Sequence, residues 1–225
     1  MLQDETAMYS HLRTPRAAAV AGIVFSILLV IIFWIFRSAV PADPLDPGAW
    51  LADASRPVAL ALNLIPFAGI AFLWFIGVLR DRLGPKEDRF FATVFLGSGL
   101  LFLATLFVAA TIVGALLLIA PSIGMTGTTT APTFRFGRAA AYILINVYAI
   151  KMAGVFMIST STVVIYTRIV PRWIAGIGYA LAGLVLLGSF YFSWSMMVLP
   201  IWVLLISVHI LIDNLRRQDG STRQQ

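Results

Sequence analysis

Residues 90–120 read FFATVFLGSGLLFLATLFVAATIVGALLLIA, thirty-one positions without a charge. A helix rises about 1.5 Å per residue and needs about 20 residues to cross the ~30 Å hydrocarbon core of a bilayer. This stretch is therefore long enough to cross with length to spare, which predicts tilt or protrusion. Backbone polar groups have no water to bond in hydrocarbon, so a crossing segment must be a helix or a strand of a closed barrel. The ten-residue alternating segments of a barrel are absent from the sequence, and a helix is predicted.

Working outward, the same pattern recurs five times. Upstream lies a second span, about Pro57 to Leu79, with Pro57 placed at the helix start, where proline is tolerated. The first span runs about Ala17 to Phe36 and is closed by Arg37. It is longer than a signal-peptide core, and Asp4 and Glu5 occupy the would-be basic region, so an uncleaved span is expected. Downstream, Pro121 stops the third span. The fourth runs about Ala139 to Tyr166, the fifth about Trp173 to Phe190 and the sixth about Ser195 to Ile212. The predicted fold is all-α, a polytopic transmembrane bundle of six helices. Residues 1–16 form an N-terminal tail, 17–213 the membrane domain and 214–225 a C-terminal tail, of which the polar Arg216 to Gln225 is expected to be disordered.

Composition agrees. Of 225 residues, 60% are apolar and 12% charged, with mean hydropathy +0.93, against about 25% charged in soluble domains. The net charge of +6 belongs to short basic punctuation between spans and forms no stripe, so no nucleic-acid partner is expected. There is no cysteine, which excludes disulfides and thiolate metal sites.

The connections are short. Arg80-Asp-Arg-Leu-Gly-Pro-Lys-Glu-Asp-Arg89 reads as an αα-hairpin turn, with Gly84 after one helix and Pro85 opening the next. Asp46-Pro47 reads as the cap of a short surface helix through Trp50 and Leu51. Residues 122–137, rich in Thr and Gly, are expected to be mobile, ending in an interfacial anchor Phe134-Arg135-Phe136. Basic residues set orientation. With the N-terminus inside, Arg13, Arg16, Arg80, Arg82, Lys86, Arg89, Arg168, Arg172, Arg216, Arg217 and Arg223 are cytoplasmic, whereas Arg37, Arg56, Arg135 and Arg138 lie outside. Both termini are thus expected in the cytoplasm. Trp34, Trp74, Trp173, Tyr191 and Trp194 fall at span ends, as aromatic belts do.

The stretch Asn63 to Ala110, centred on Arg80-Asp-Arg-Leu-Gly-Pro-Lys-Glu-Asp-Arg-Phe-Phe91, resembles small six-span bacterial integral membrane proteins of unknown function. The resemblance implies a multi-pass protein of a bacterial plasma (inner) membrane, and no activity or functional residues.

Lys151 is the unusual position. It lies 13 residues after Arg138 and 17 before Arg168, about 20 and 26 Å along a helix, near mid-membrane. A mid-span Lys costs roughly 2.5–3.5 kcal/mol to insert. All ten acids of the sequence lie at or beyond span ends, so its expected partners are neutral groups, water, lipid, another protein or a ligand. Tyr148, at i−3, is placed on its face, with Ser159 and Thr162 continuing the stripe. Asn63 and Asn146 sit at similar depth, and Pro66 and Pro200 free the carbonyls of Leu62 and Met196. Asn63, Asn146 and the two kinks sketch a small polar pocket above Lys151. Against this stands a plain structural reading, in which the Lys stem snorkels and the polar groups tie helices together.

His209 and Asp213, spaced i, i+4, share a face but lack the three or four ligands a metal needs, so no metal and no cofactor are expected. Gly176, Ala180 and Gly183 mark a small-residue face, read as internal packing and less often as a dimer face. Ser159-Thr-Ser-Thr162 is expected to bond back to helix carbonyls. Enzyme motifs are missing from the sequence, so a catalyst is not expected. The favoured function is a non-enzymatic accessory or structural membrane subunit, with lipid and a protein partner or second copy as neighbours. The alternative is a small transporter or pore for an anion or small polar solute using Lys151. An intramembrane enzyme stands third.

Overall fold

A computed structural model describes residues 2–41, 43, 46, 50–81, 89–123, 132–167, 171–188 and 194–222, and every element among them is helical. The helices are α1 (Leu2–Ala39), α2 (Leu51–Asp81), α3 (Arg89–Ile123), α4 (Pro132–Ile143), α5 (Ile150–Thr167), α6 (Arg172–Gly188) and α7 (Ser195–Thr222). A π-helical turn, Leu144–Ala149, joins α4 to α5. Five helical stretches are long and apolar enough to cross a membrane, namely Ala19–Ala39, Ala54–Arg80, Ala92–Ile119, Pro132–Tyr166 and Ser195–Arg216. The sixth, Arg172–Gly188, is apolar but only 17 residues long, at the short limit for a span.

The stretch Ala19–Phe36 of α1 is apolar on all sides, as a lipid-embedded helix is. On α1, Val20, Val24, Ile27, Ile31 and Trp34 face outward while Ala21, Phe25, Leu29 and Ile32 are buried. Burial and polarity are thus decoupled, and packing selects the inner face by shape. Helix α1 packs between α2 and α7, α3 packs on α2, α4 and α5, and α6 packs on α5. Phe72 of α2 is the hub. Its ring lies 4.5 Å from Phe25 of α1, 5.6 Å from Phe102 of α3 and 5.0 Å from Phe156 of α5. Such offset and edge contacts add about 0.5–1.5 kcal/mol each beyond area.

Several sequence expectations change. Helix α2 begins at Leu51, so Leu51 belongs to a continuous long helix and Pro57 lies inside it. Proline removes one i−4 bond, and the helix tolerates this, as membrane helices commonly do. Helix α3 continues past Pro121 to Ile123, because a proline blocks the bond of its own nitrogen and not the turn already formed. Residues 132–137 are helical rather than loop, since Pro132 suits a first helical position. Phe134 is buried against Leu116 instead of anchoring at an interface, leaving Arg135 and Phe136 exposed. Residues 216–222 continue α7 rather than forming a disordered tail. Gly84, Pro85, Tyr191 and residues 47–49 lie outside the described residues.

The small residues of α6 divide. Gly176, Ala180 and Gly183 lie on the outer side; Ala180 is exposed, and a Cβ built on Gly176 or Gly183 meets nothing within 4 Å. The inward contact is made by Ala175, Gly178 and Ala182. Gly178 is held against Ser161 of α5 and Trp202 of α7, and Gly22 of α1 against Ser207 of α7 and Phe75 of α2. The period was legible, whereas its phase depends on which neighbours the helix meets.

Candidate functional site

The loop after α1, the start of α2, the end of α3, α4 and the start of α7 meet at one end of the bundle. They enclose a cavity of about 290 Å³. Phe33 and Phe36 of α1, Leu106 and Val113 of α3, Ile145 of the π turn and Met196 of α7 make its wall apolar. The residues with polar side-chain groups in its lining are Arg37, Trp50, Arg138, Tyr142, Asn146 and Trp194.

The two arginines are in opposite states. Arg138 is 7% exposed. One guanidinium nitrogen donates to the Asp46 carboxylate at 3.2 Å and the Asp46 carbonyl at 2.9 Å. The other donates to the carbonyls of Pro41 at 3.1 Å and Asp43 at 2.5 Å. The plane also lies 5.6 Å from the Trp50 ring centroid. A planar fork of five donors suits such a set, and a point-charge Lys does not. Arg138 thereby fastens α4 to the segment joining α1 and α2. Arg37, in the last turn of α1, is exposed and rests 5.8 Å above the Trp194 ring. Among the described residues it has no ion pair. The indole N–H of Trp50 is buried with no acceptor among the described residues.

Of the sequence candidates, Asn146 reaches this cavity, although its amide donates back to Tyr142 O at 3.0 Å. Asn63 is exposed on α2 and donates to Ala59 O at 2.9 Å. Lys151 does not line the cavity; its ammonium donates to Leu186 O of α6. Tyr148 is exposed while Lys151 is half-buried, because the intervening π turn is wider than an α turn and i−3 no longer stacks. Pro66 is exposed, and Pro200 is buried one turn below the cavity's Met196. The structure therefore brings Asn146 and the Pro200 turn to one end and leaves Asn63 and Lys151 elsewhere.

Ser159, Thr160 and Thr162 each bond the carbonyl four residues back, and Thr162 also meets the Tyr179 hydroxyl at 2.7 Å. Ser161 differs, being buried with no hydrogen-bond partner among the described residues. His209 and Asp213 are half-buried, and among the described residues no group of three or more His, Asp or Glu side chains converges. Sequence reasoning missed Arg138 and Trp50 as site residues. The available signal was Arg138 beside Gly137 and Ala139 to Ala141, a charge among small residues that permit close approach, opposite an acidic loop. No protein-family model, curated protein or solved structure matches the chain.

Proposed function

We propose that the chain is a six-span protein of a cell membrane, both termini cytoplasmic, serving as a non-enzymatic accessory or structural subunit. The observation carrying this reading is the Lys151 ammonium bonded to Leu186 O across the α5–α6 contact. A cation held on a neighbouring helix's carbonyl acts as a tie, and the same logic holds for Arg138. Interhelical ties of this kind contribute about 0.6 kcal/mol on average and up to about 1.7. Lys151→Met is then expected to lower the melting temperature of the purified protein by about 2–4 °C, with anion uptake into proteoliposomes unchanged. Lost uptake at unchanged melting temperature overturns the reading in favour of a solute pathway through Lys151.

Orientation has its own test. The sequence contains no cysteine, so single cysteines report position without background. Ser38→Cys, at the end of α1, is expected to react with a membrane-impermeant maleimide on intact cells. Ser221→Cys, in the last turn of α7, is expected to react only after permeabilisation. The reverse pattern rejects the orientation, and labelling of both sites on intact cells rejects the odd number of crossings between Ser38 and Ser221 that six spans require.

A further inference from the structure

We propose that the 290 Å³ cavity holds one hydrocarbon chain of a membrane lipid whose anionic headgroup sits on Arg37. The size comes first. Small-molecule pockets span roughly 300–1,000 Å³, so this cavity is slim, suited to a single chain rather than a bulky headgroup. Its wall supplies apolar surface from Phe33, Phe36, Leu106, Val113 and Met196, with the polar groups confined to a few positions. An apolar hole with polar groups at few positions matches an amphiphile and not a free ion.

Charge fixes the headgroup. Arg138, the more buried cation, is already bonded to Asp46, Pro41 and Asp43, and the Asp46 charge is engaged with it. Arg37 is exposed at the cavity, steadied by the Trp194 ring alone among the described side chains. Its fork of donors suits a phosphate or carboxylate. The flanking Trp194 and Trp50 are residues that sit at the headgroup level of membranes. The buried Trp50 indole N–H, with no acceptor among the described residues, adds a donor in the same wall. This site rests on the chain lying in a bilayer and is independent of whether Lys151 is a helix tie.

The test uses the full chain in detergent and native mass spectrometry, with phosphatidylglycerol and phosphatidylcholine of identical acyl chains. The wild type is expected to retain the anionic lipid about tenfold better, the factor of one charged hydrogen bond. Arg37→Gln, at an exposed position, should bring the ratio near unity while chain binding persists. Arg135→Gln, an exposed arginine at the same end but outside the cavity lining, should leave the ratio unchanged. Ala110→Phe, filling the cavity, should abolish retention of both lipids. Equal retention by the wild type, an unchanged ratio in Arg37→Gln, or an equal loss in Arg135→Gln overturns the proposal. Displacement of the bound lipid by inorganic phosphate alone also overturns it, because it would make the site an anion site without a chain.

Discussion

Arg138→Met is expected to destabilise the protein by about 3 kcal/mol, lowering the melting temperature by about 6–12 °C. The variant keeps a long, unbranched stem, so the loss is electrostatic and not steric. It removes four hydrogen bonds and one ion pair at a side chain that is 7% exposed. Breaking a buried pair by deleting one partner costs about 3–5 kcal/mol. The low end applies because the Asp46 side chain is 29% exposed and its carboxylate regains water when the arginine goes. The three carbonyls of Pro41, Asp43 and Asp46 lose a donor that bound the loop between α1 and α2 to α4. Arg138→Lys should recover part of the loss and not all, since an ammonium cannot span both halves of the acceptor set. Thermal unfolding of the three proteins in one detergent is the measurement. A Met variant within about 0.5 kcal/mol of wild type, as for an ordinary surface arginine, would show that the clamp does not hold the fold.

The helices were legible because transmembrane crossing leaves a signal that needs no tertiary context, namely length without charge. Residues 90–120 are sufficient for one helix, and the structure extends that helix only to Arg89 and Ile123. What was not legible is phase and partnership. A count of basic residues by loop puts Arg138 with Arg135 as an outside charge, because it treats every basic residue beyond a span as solvated. The two are only three positions apart on α4, yet one is buried and one exposed. An α-helical period puts Tyr148 on the Lys151 face, and the π turn at Leu144–Ala149 breaks that period. Depth alone pairs Asn63 with Asn146, yet each amide bonds its own helix. In lipid an Asn with a local carbonyl available needs no distant partner, so depth did not imply proximity.

Gly22→Leu and Gly176→Leu are expected to move stability in opposite directions, although both positions are helical glycines between an alanine and an isoleucine. At Gly22 a Cβ would fall onto Ser207 Oγ and come within 2.8 Å of Phe75 Cδ2. Ser207 and Phe75 are both fully buried, and Phe75 lies in the same core cluster as Phe72. Neither can retreat without moving α7 or α2 away from α1. Overpacking of this kind costs about 1–3 kcal/mol, and a whole leucine belongs at the top of that range. At Gly176 nothing lies within 4 Å, so the side chain enters open space on the outer face of α6. There it gains the helix propensity that glycine lacks, up to about 1 kcal/mol. Thermal unfolding of both variants beside the wild type reads the difference, which should approach about 4 kcal/mol in total. An equal loss at both positions would mean that the outer face of α6 is covered by a partner in the folded protein. An equal absence of loss would mean that α1 does not approach α7 as closely as described.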